Sequence, residues 1–241
     1  MCVLLVHHRL RDDAPVVLLA NRDEDYARRF EGPSRWPGAD GIVAPRDLLA
    51  GGTWIGVNRH GLVVAITNRP TPSPRADVRS RGRLVADALA HGDVEDAAAW
   101  LEDHLRATDY DPFNLMLLDR HAGLVLHHET RGADLVAMAP GVHVLTNHHD
   151  LDVAPVPASA RPRAGESLED LTARLERAAG DRETPMPGEH RMCKVGTTRG
   201  TVCSAVLALP AAPGAPPRIR FAPGPPHATP FFDVAVGHAR A

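Results

Sequence analysis

The chain has little cysteine: Cys2, Cys193 and Cys203 are the only three in 241 residues. So small and odd a number builds no disulfide framework, and a reducing, cytoplasmic setting is expected. No apolar run approaches the roughly 18 residues that a membrane-spanning helix needs. The opening stretch Met1–His8 has neither a basic segment nor a long apolar core, so no secretory signal is read there. Positive charge is not in surplus. A net charge of -3 at pH 7 argues against broad nucleic-acid binding, which needs a strongly basic face. Lysine is almost missing, with Lys194 its single instance. Together with plentiful alanine and proline this reads as coding bias, so individual Arg and Ala residues carry less information than usual.

Several motif spacings are missing too. There is no Gly-x-Gly-x-x-Gly or Walker loop, no His-Glu-x-x-His or Cys-x-x-Cys, and no Gly-x-Ser-x-Gly elbow. Fourteen histidines do not restore a metal reading. The pairs His7-His8, His127-His128 and His148-His149 sit in or beside strand-like runs, where neighbouring residues face opposite ways. No metal and no cofactor is expected.

What is present fills a core. Apolar residues make up 44% of the chain, enough for a single domain over 1–241. Strands are expected at Val3–Val6 and Pro15–Ala20, joined by a polar turn at Arg9–Asp13. A polar stretch follows from Asn21 to Leu49. Two further strands, Thr53–Asn58 and Leu62–Asn68, form a hairpin across Arg59-His60-Gly61. Helical periodicity marks Arg83–Ala90, Val94–Ala107 and Leu168–Ala179. More strands are expected at Phe113–Leu118, Leu124–His128, Val142–Asn147, Thr201–Leu209 and, last, Arg218–Ala222. Ala154–Pro162 and Pro210–Pro217 read as surface loops. Strands and helices come in blocks rather than in alternation, which favours an α+β layered sandwich over a doubly wound parallel sheet.

The chemistry concentrates at a few places. Loss of Met1 would leave Cys2 with its thiol and a free α-amine on one residue. An α-amine has a pKa near ~8, so it can take the thiol proton at neutral pH. If the first two strands pair, Asn21-Arg22-Asp23-Glu24 lies beside Cys2. There Arg22 could favour a thiolate and Asp23 could orient the amine. Asn68 and Asn147 each close a strand in a Thr-Asn pair, and an asparagine amide can donate to a developing oxyanion. Gly51-Gly52-Thr53-Trp54 allows close backbone approach before an aromatic, with Trp54 read as a pocket wall. Each feature also has a plain structural reading: a buried edge-strand thiol, polar turns, a core aromatic.

As an ordered set these residues resemble a known family. Met1-Cys2, Asn21-Arg22-Asp23-Glu24, Gly51-Gly52-Thr53-Trp54-Ile55-Gly56 and Ala65-Ile66-Thr67-Asn68 come first. Ser80-Arg81-Gly82-x-Leu84-Val85, Phe113-Asn114-Leu115 and Leu145-Thr146-Asn147 follow. The set is similar to the NRDE family, homologues of transport and Golgi organisation protein 2, and the likeness runs from Met1 to about Leu209. That family in turn resembles the N-terminal-nucleophile hydrolases, in particular the choloylglycine hydrolase and penicillin acylase V group. The resemblance implies a four-layer αββα sandwich with Cys2 as nucleophile. It also implies that Asn68 and Asn147 sit where that group places its oxyanion-hole and amine-orienting asparagines. Arg22 and Asp23 match its Arg/Asp pair approximately.

The chain departs from the family near Val195-Gly196-Thr197-Thr198-Arg199. Thr198 stands where the family has an arginine, and Arg199, one residue later, is the candidate to replace it, with a role in substrate binding expected. A Pro-Trp-Pro-Lys run common after the second Thr-Asn pair is also absent. The expected activity is cleavage of a linear amide or acyl bond of a small-molecule substrate through a Cys2 acyl-enzyme. The rival, implied by the same resemblance, is a non-catalytic haem or lipid binding and trafficking protein, with His7, His8 or Cys2 as axial ligand to a haem.

Overall fold

In the computed structural model, which describes residues 2–39, 41–184 and 191–236, the chain begins with β1 (Val3–His8), β2 (Val16–Asp25), β3 (Phe30–Arg35), β4 (Val43–Asp47), β5 (Ile55–Val57) and β6 (Val63–Asn68). Two helices follow, α1 (Arg81–Ala88) and α2 (Val94–Ala107). Next come β7 (Phe113–Leu118), β8 (Gly123–Glu129), β9 (Gly132–Ala137) and β10 (Gly141–Thr146). After α3 (Leu168–Ala179), the strands β11 (Arg199–Leu209), β12 (Arg218–Ala222) and β13 (Phe232–Asp233) complete the described residues. The strands pair antiparallel into two sheets, β10-β1-β2-β11-β12-β13 and β3-β4-β5-β6-β7-β8-β9.

Strand alternation assigns the side chains to layers. Leu4 and Val6 of β1, with Leu18 and Ala20 of β2, share one apolar cluster with Val63, Ala65, Met116 and Leu118 of the other sheet. Their neighbours Val3, Leu5, Val17 and Leu19 cluster instead with Leu171 and Leu175 of α3. On the seven-stranded sheet, Val64, Ile66, Leu115 and Leu117 meet Leu84 and Val85 of α1 and Leu101 of α2. Strands covered on both faces read as unbroken apolar runs, which is why β1, β2 and β7 were easy to find in the sequence. No helix among the described residues is long and apolar enough to cross a membrane.

Several expectations need correction. Strand β2 does not stop at Ala20 but runs through Asn21-Arg22-Asp23-Glu24 to Asp25, because β11 pairs along it, Arg199 opposite Asp25 and Thr201 opposite Asp23. The polar stretch Asn21–Leu49 also holds β3 and β4. Strand β9 is mostly exposed and closes an edge of its sheet, so it carries little apolar patterning. Arg218–Ala222 is followed by the short β13 rather than being last. The Ala154–Pro162 segment is more than a surface loop. Its Ala154 and Ala160 are buried against α3's cluster, and Ala158–Ala160 forms a 3-10 turn.

Candidate active site

Backbone pairing puts Cys2 at a junction. Val3 lies opposite both Asn21 of β2 and Thr146 of β10, so the residue before it enters between Arg22 and Asn147. The Cys2 backbone nitrogen donates to Asn147 Oδ1. Asn147 Nδ2 donates to the Asn68 carbonyl. The two Thr-Asn strand ends, one from each sheet, thus meet beside Cys2.

A buried residue clamps them there. Asn114 of β7 donates through Nδ2 to the Thr146 carbonyl at 2.9 Å and to Thr67 Oγ1 at 3.2 Å. Thr67 Oγ1 itself donates to the Thr146 carbonyl at 3.3 Å. Asn114 Oδ1 accepts from Arg69 at 2.8 Å and lies 2.8 Å from His127 Nδ1. Burial lowers the His127 pKa, which favours the neutral ring. A fully satisfied polar cluster of this kind fixes one arrangement of the strands around it.

The extension of β2 splits Asn21-Arg22-Asp23-Glu24 by the two-residue period of a strand. Asn21 donates to the Ala179 and Met192 carbonyls at 2.9 and 2.7 Å, anchoring the end of α3. On the same face Asp23 Oδ1 accepts from Thr201 Oγ1 at 2.6 Å. Arg22 and Glu24 take the other face. Arg22 is 3.1 Å from Asp47 Oδ2 and 3.6 Å from Glu24, and its guanidinium lies 4.4 Å over the Trp54 ring. Arg28 joins the group at 2.7 Å from Asp47. Burial pushes the Asp47 carboxyl up, but bonds from Arg28 and from the Ala50 and Leu49 amides outweigh it and hold it below the ordinary carboxylate range.

The glycine motif has a packing reason. A Cβ on Gly52 would stand 2.3 Å from the Gly82 carbonyl carbon, so only glycine lets the loop and the start of α1 approach this closely. Thr53 N donates to the Gly82 carbonyl at 2.9 Å. This contact brings Ser80, Arg81 and Gly82 to the same cleft as Trp54. Unlike α2 and α3, α1 starts without a side-chain cap bond or an acidic residue in its first turn.

The seven residues that the sequence assigned to the hydrolase reading line one cleft of about 410 Å3: Cys2, Arg22, Asp23, Trp54, Asn68, Asn147 and Arg199. Arg199 reaches it from the exposed start of β11, while Thr198 is absent from the lining and its carbonyl accepts from Tyr26 N at 3.0 Å. Burial raises the Cys2 thiol pKa, the Asp23 charge adds to that, and Arg22 opposes it only weakly. Arg22 acts in the expected direction, toward the thiolate, but burial and the Asp23 charge outweigh it. Asp23 is likewise raised by burial, against the Thr201 bond.

Cys193, although it stands beside Lys194, is 1% exposed, with Sγ 3.4 Å from His227 Nδ1. Cys203 is buried in β11 and burial drives its thiol far up. The suggested axial histidines are also buried. His7 Nε2 meets the Ala160 carbonyl at 2.9 Å and His8 Nδ1 the Ala139 carbonyl at 3.2 Å, and neither lines the cleft. Asp47, Arg28, Arg81 and Thr201 had no site role in the sequence reading. Two carried a signal: Arg81 within the Ser80-Arg81-Gly82 motif, and Asp47 as an acid whose carboxylate caps the Leu49 and Ala50 amides of a turn into Gly51-Gly52.

The chain spans about half the length of the curated relatives it matches. It is 33% identical over 144 residues to the Transport and Golgi organization protein 2 homolog of Bos taurus, covering 55% of this chain and 50% of that protein. The Homo sapiens homolog is 30% identical over 139 residues with the same coverage. Among solved structures it resembles a Caenorhabditis elegans N-acylethanolamine-hydrolyzing acid amidase ortholog, with TM-score 0.52, 13% identity, and 86% of this chain against 92% of that one. It also resembles a mutant conjugated bile acid hydrolase from Clostridium perfringens, with TM-score 0.53 and 11% identity over 100% of both chains. These two structures identify the N-terminal-nucleophile hydrolase fold. A family model described as Transport and Golgi organisation 2 matches residues 1–185, and the chain belongs to that family.

Proposed function

We propose that the protein is an N-terminal-cysteine hydrolase that cleaves a linear amide or acyl bond, working as a single four-layer αββα domain in a reducing compartment. The observation that carries this reading is the Cys2 nitrogen bonded to Asn147 Oδ1 at the cleft. Once Met1 is removed that nitrogen becomes the α-amine, already oriented by an acceptor. The resting thiol is protonated, because burial raises its pKa. The thiol proton therefore passes to the amine as Sγ attacks the substrate carbonyl carbon. The side-chain amide of Asn68, with that of Asn147 beside it, donates to the oxyanion. Collapse breaks the bond to the leaving group, which takes the proton from the ammonium. Water then attacks the thioester, releases the acid and restores the thiol. Trp54 and Arg199 bound the space for the substrate, and Asp23 and Arg22 hold the floor.

The test is intact mass after exposure to 4-nitrophenyl hexanoate. The expected result is a chain that starts at Cys2 and gains one hexanoyl group on its N-terminal peptide, with no gain in Cys2→Ser. A chain that keeps Met1 quantitatively in its native host, or an equal gain in Cys2→Ser, overturns the reading.

A further inference from the structure

The cleft's charge does not match the chain's. The whole sequence carries -3, yet the cleft is lined by six arginines and four carboxylates. Most of these charges cancel locally. Arg22 and Arg28 are matched by Glu24 and Asp47. Arg75 pairs with Asp109 and Asp111, and Arg79 with Asp87 outside the lining.

The fourth lining carboxylate, Asp23, accepts from Thr201 Oγ1, and two cations, Arg81 and Arg199, stand outside the ion pairs. Arg81 makes one hydrogen bond, from Nη1 to the Pro112 carbonyl at 2.9 Å, and no ion pair among the described residues. It is partly buried, and desolvation lowers its pKa. The nearby Asp111, Glu24 and Cys2 favour its charge without contacting it. Arg199, across the cleft at the start of β11, has no ion pair among the described residues either. In addition Arg22, 4% exposed and in the same lining, keeps a buried Nη1 with no hydrogen-bond partner among the described residues. A half-buried guanidinium with its donors unspent lacks part of its solvation, and an oxyanion that accepts two parallel N–H bonds restores it.

We propose that the cleft takes a carboxylate-bearing substrate, its anionic end held by Arg81 and Arg199 while its scissile carbonyl faces Cys2. The assignment rests on Cys2 as the reacting centre and adds the charge class of what reaches it. Guanidinium groups that line a cleft outside any ion pair concentrate anions beside them and speed their arrival.

The experiment compares alkylation of Cys2 in the full chain by iodoacetate and iodoacetamide, read by N-terminal peptide mass. In each, the thiolate sulfur displaces iodide; the two reagents are of similar size and differ chiefly in charge, and glutathione supplies the reference for their intrinsic reactivities. Taking the ratio of the two rates removes any effect on the thiol's own pKa. The expected iodoacetate-to-iodoacetamide ratio at Cys2 is about tenfold above that of glutathione, as for electrostatic focusing. It should fall toward the glutathione value in Arg81→Gln, in Arg199→Gln, and in the unaltered chain with added NaCl. A ratio equal to that of glutathione, a ratio unmoved by Arg81→Gln, or a Cys2 that neither reagent labels overturns the proposal. If Arg81→Gln fails to fold, a ratio unmoved by NaCl and by Arg199→Gln overturns it instead. The hydrolase reading fails on a separate measurement, the missing acyl-enzyme mass, which leaves the anion preference standing.

Discussion

Two buried arginines with opposite fates separate the scaffold from the site. Arg174 on α3 is 3% exposed, and each of its three guanidinium nitrogens has an acceptor. It binds Glu166 through Nε and Nη2 at 2.6 Å each and the Ser159 carbonyl through Nη1 at 2.6 Å. Arg22 is as deeply buried at 4% but reaches Asp47 at 3.1 Å through Nη2, stacks on Trp54, and leaves Nη1 without a partner among the described residues. Buried polar groups in native folds are nearly always satisfied, so an exception beside a cavity marks a place kept for something else. The first arginine ties the 158–166 segment to α3, and the second lines a cleft.

That contrast can be tested by separating activity from stability. The largest effect belongs to Cys2→Ser, which should lower acyl transfer on the order of 10⁴-fold. The same change should move Tm by less than about 2 °C, because it replaces a single atom at a strand end. Turnover of 4-nitrophenyl hexanoate and a thermal melt report the two halves. Arg174→Met should do the reverse. Leaving Glu166 without its partner destabilises by about 3–5 kcal/mol, visible as a lower urea midpoint, while Cys2 labelling by iodoacetamide in the folded protein stays as it was. If Arg174→Met melts like the parent chain, the scaffold role assigned to the saturated arginine is wrong.

Smaller effects sharpen the comparison. Asn68→Ala or Asn147→Ala should each slow acyl transfer by about 10²-fold, near 3 kcal/mol, with little change in Tm. Next, alkylation mapped from pH 6 to 9 should label Cys2 at least about tenfold faster than Cys193 or Cys203, which are both 1% exposed. Faster labelling of Cys193 in the folded chain would break this ordering. The smallest effect concerns pH. The bond from Arg174 holds the Glu166 carboxyl below its ordinary pKa. Its contribution is therefore complete above the ordinary glutamate value of about 4.3. It is lost as pH falls through the depressed native value. Arg174→Met should remove this part of the acid loss, giving a shallower decline of the urea midpoint between pH 5 and pH 3.

Chain pattern alone determined much of this protein. The apolar runs of β1, β7 and β11 and the amphipathic stretches Val94–Ala107 and Leu168–Ala179 were legible because double-sided burial and helical period both leave strong residue patterns. The seven residues that share the cleft were legible as types suited to acyl chemistry, each at the start or end of an apolar run or beside a glycine pair. Tertiary structure decided the rest, because it depends on partners distant in the chain. That β2 continues through Asn21-Arg22-Asp23-Glu24 follows from β11, some 180 residues later, pairing along it. That Asn114 clamps two strand ends follows from the sheets facing each other, and so does the burial that raises the Cys2 thiol. The sequence names a guanidinium, but whether it enters an ion pair, as Arg174 does, or makes none among the described residues, as with Arg81, depends on which oxygens the fold brings within reach.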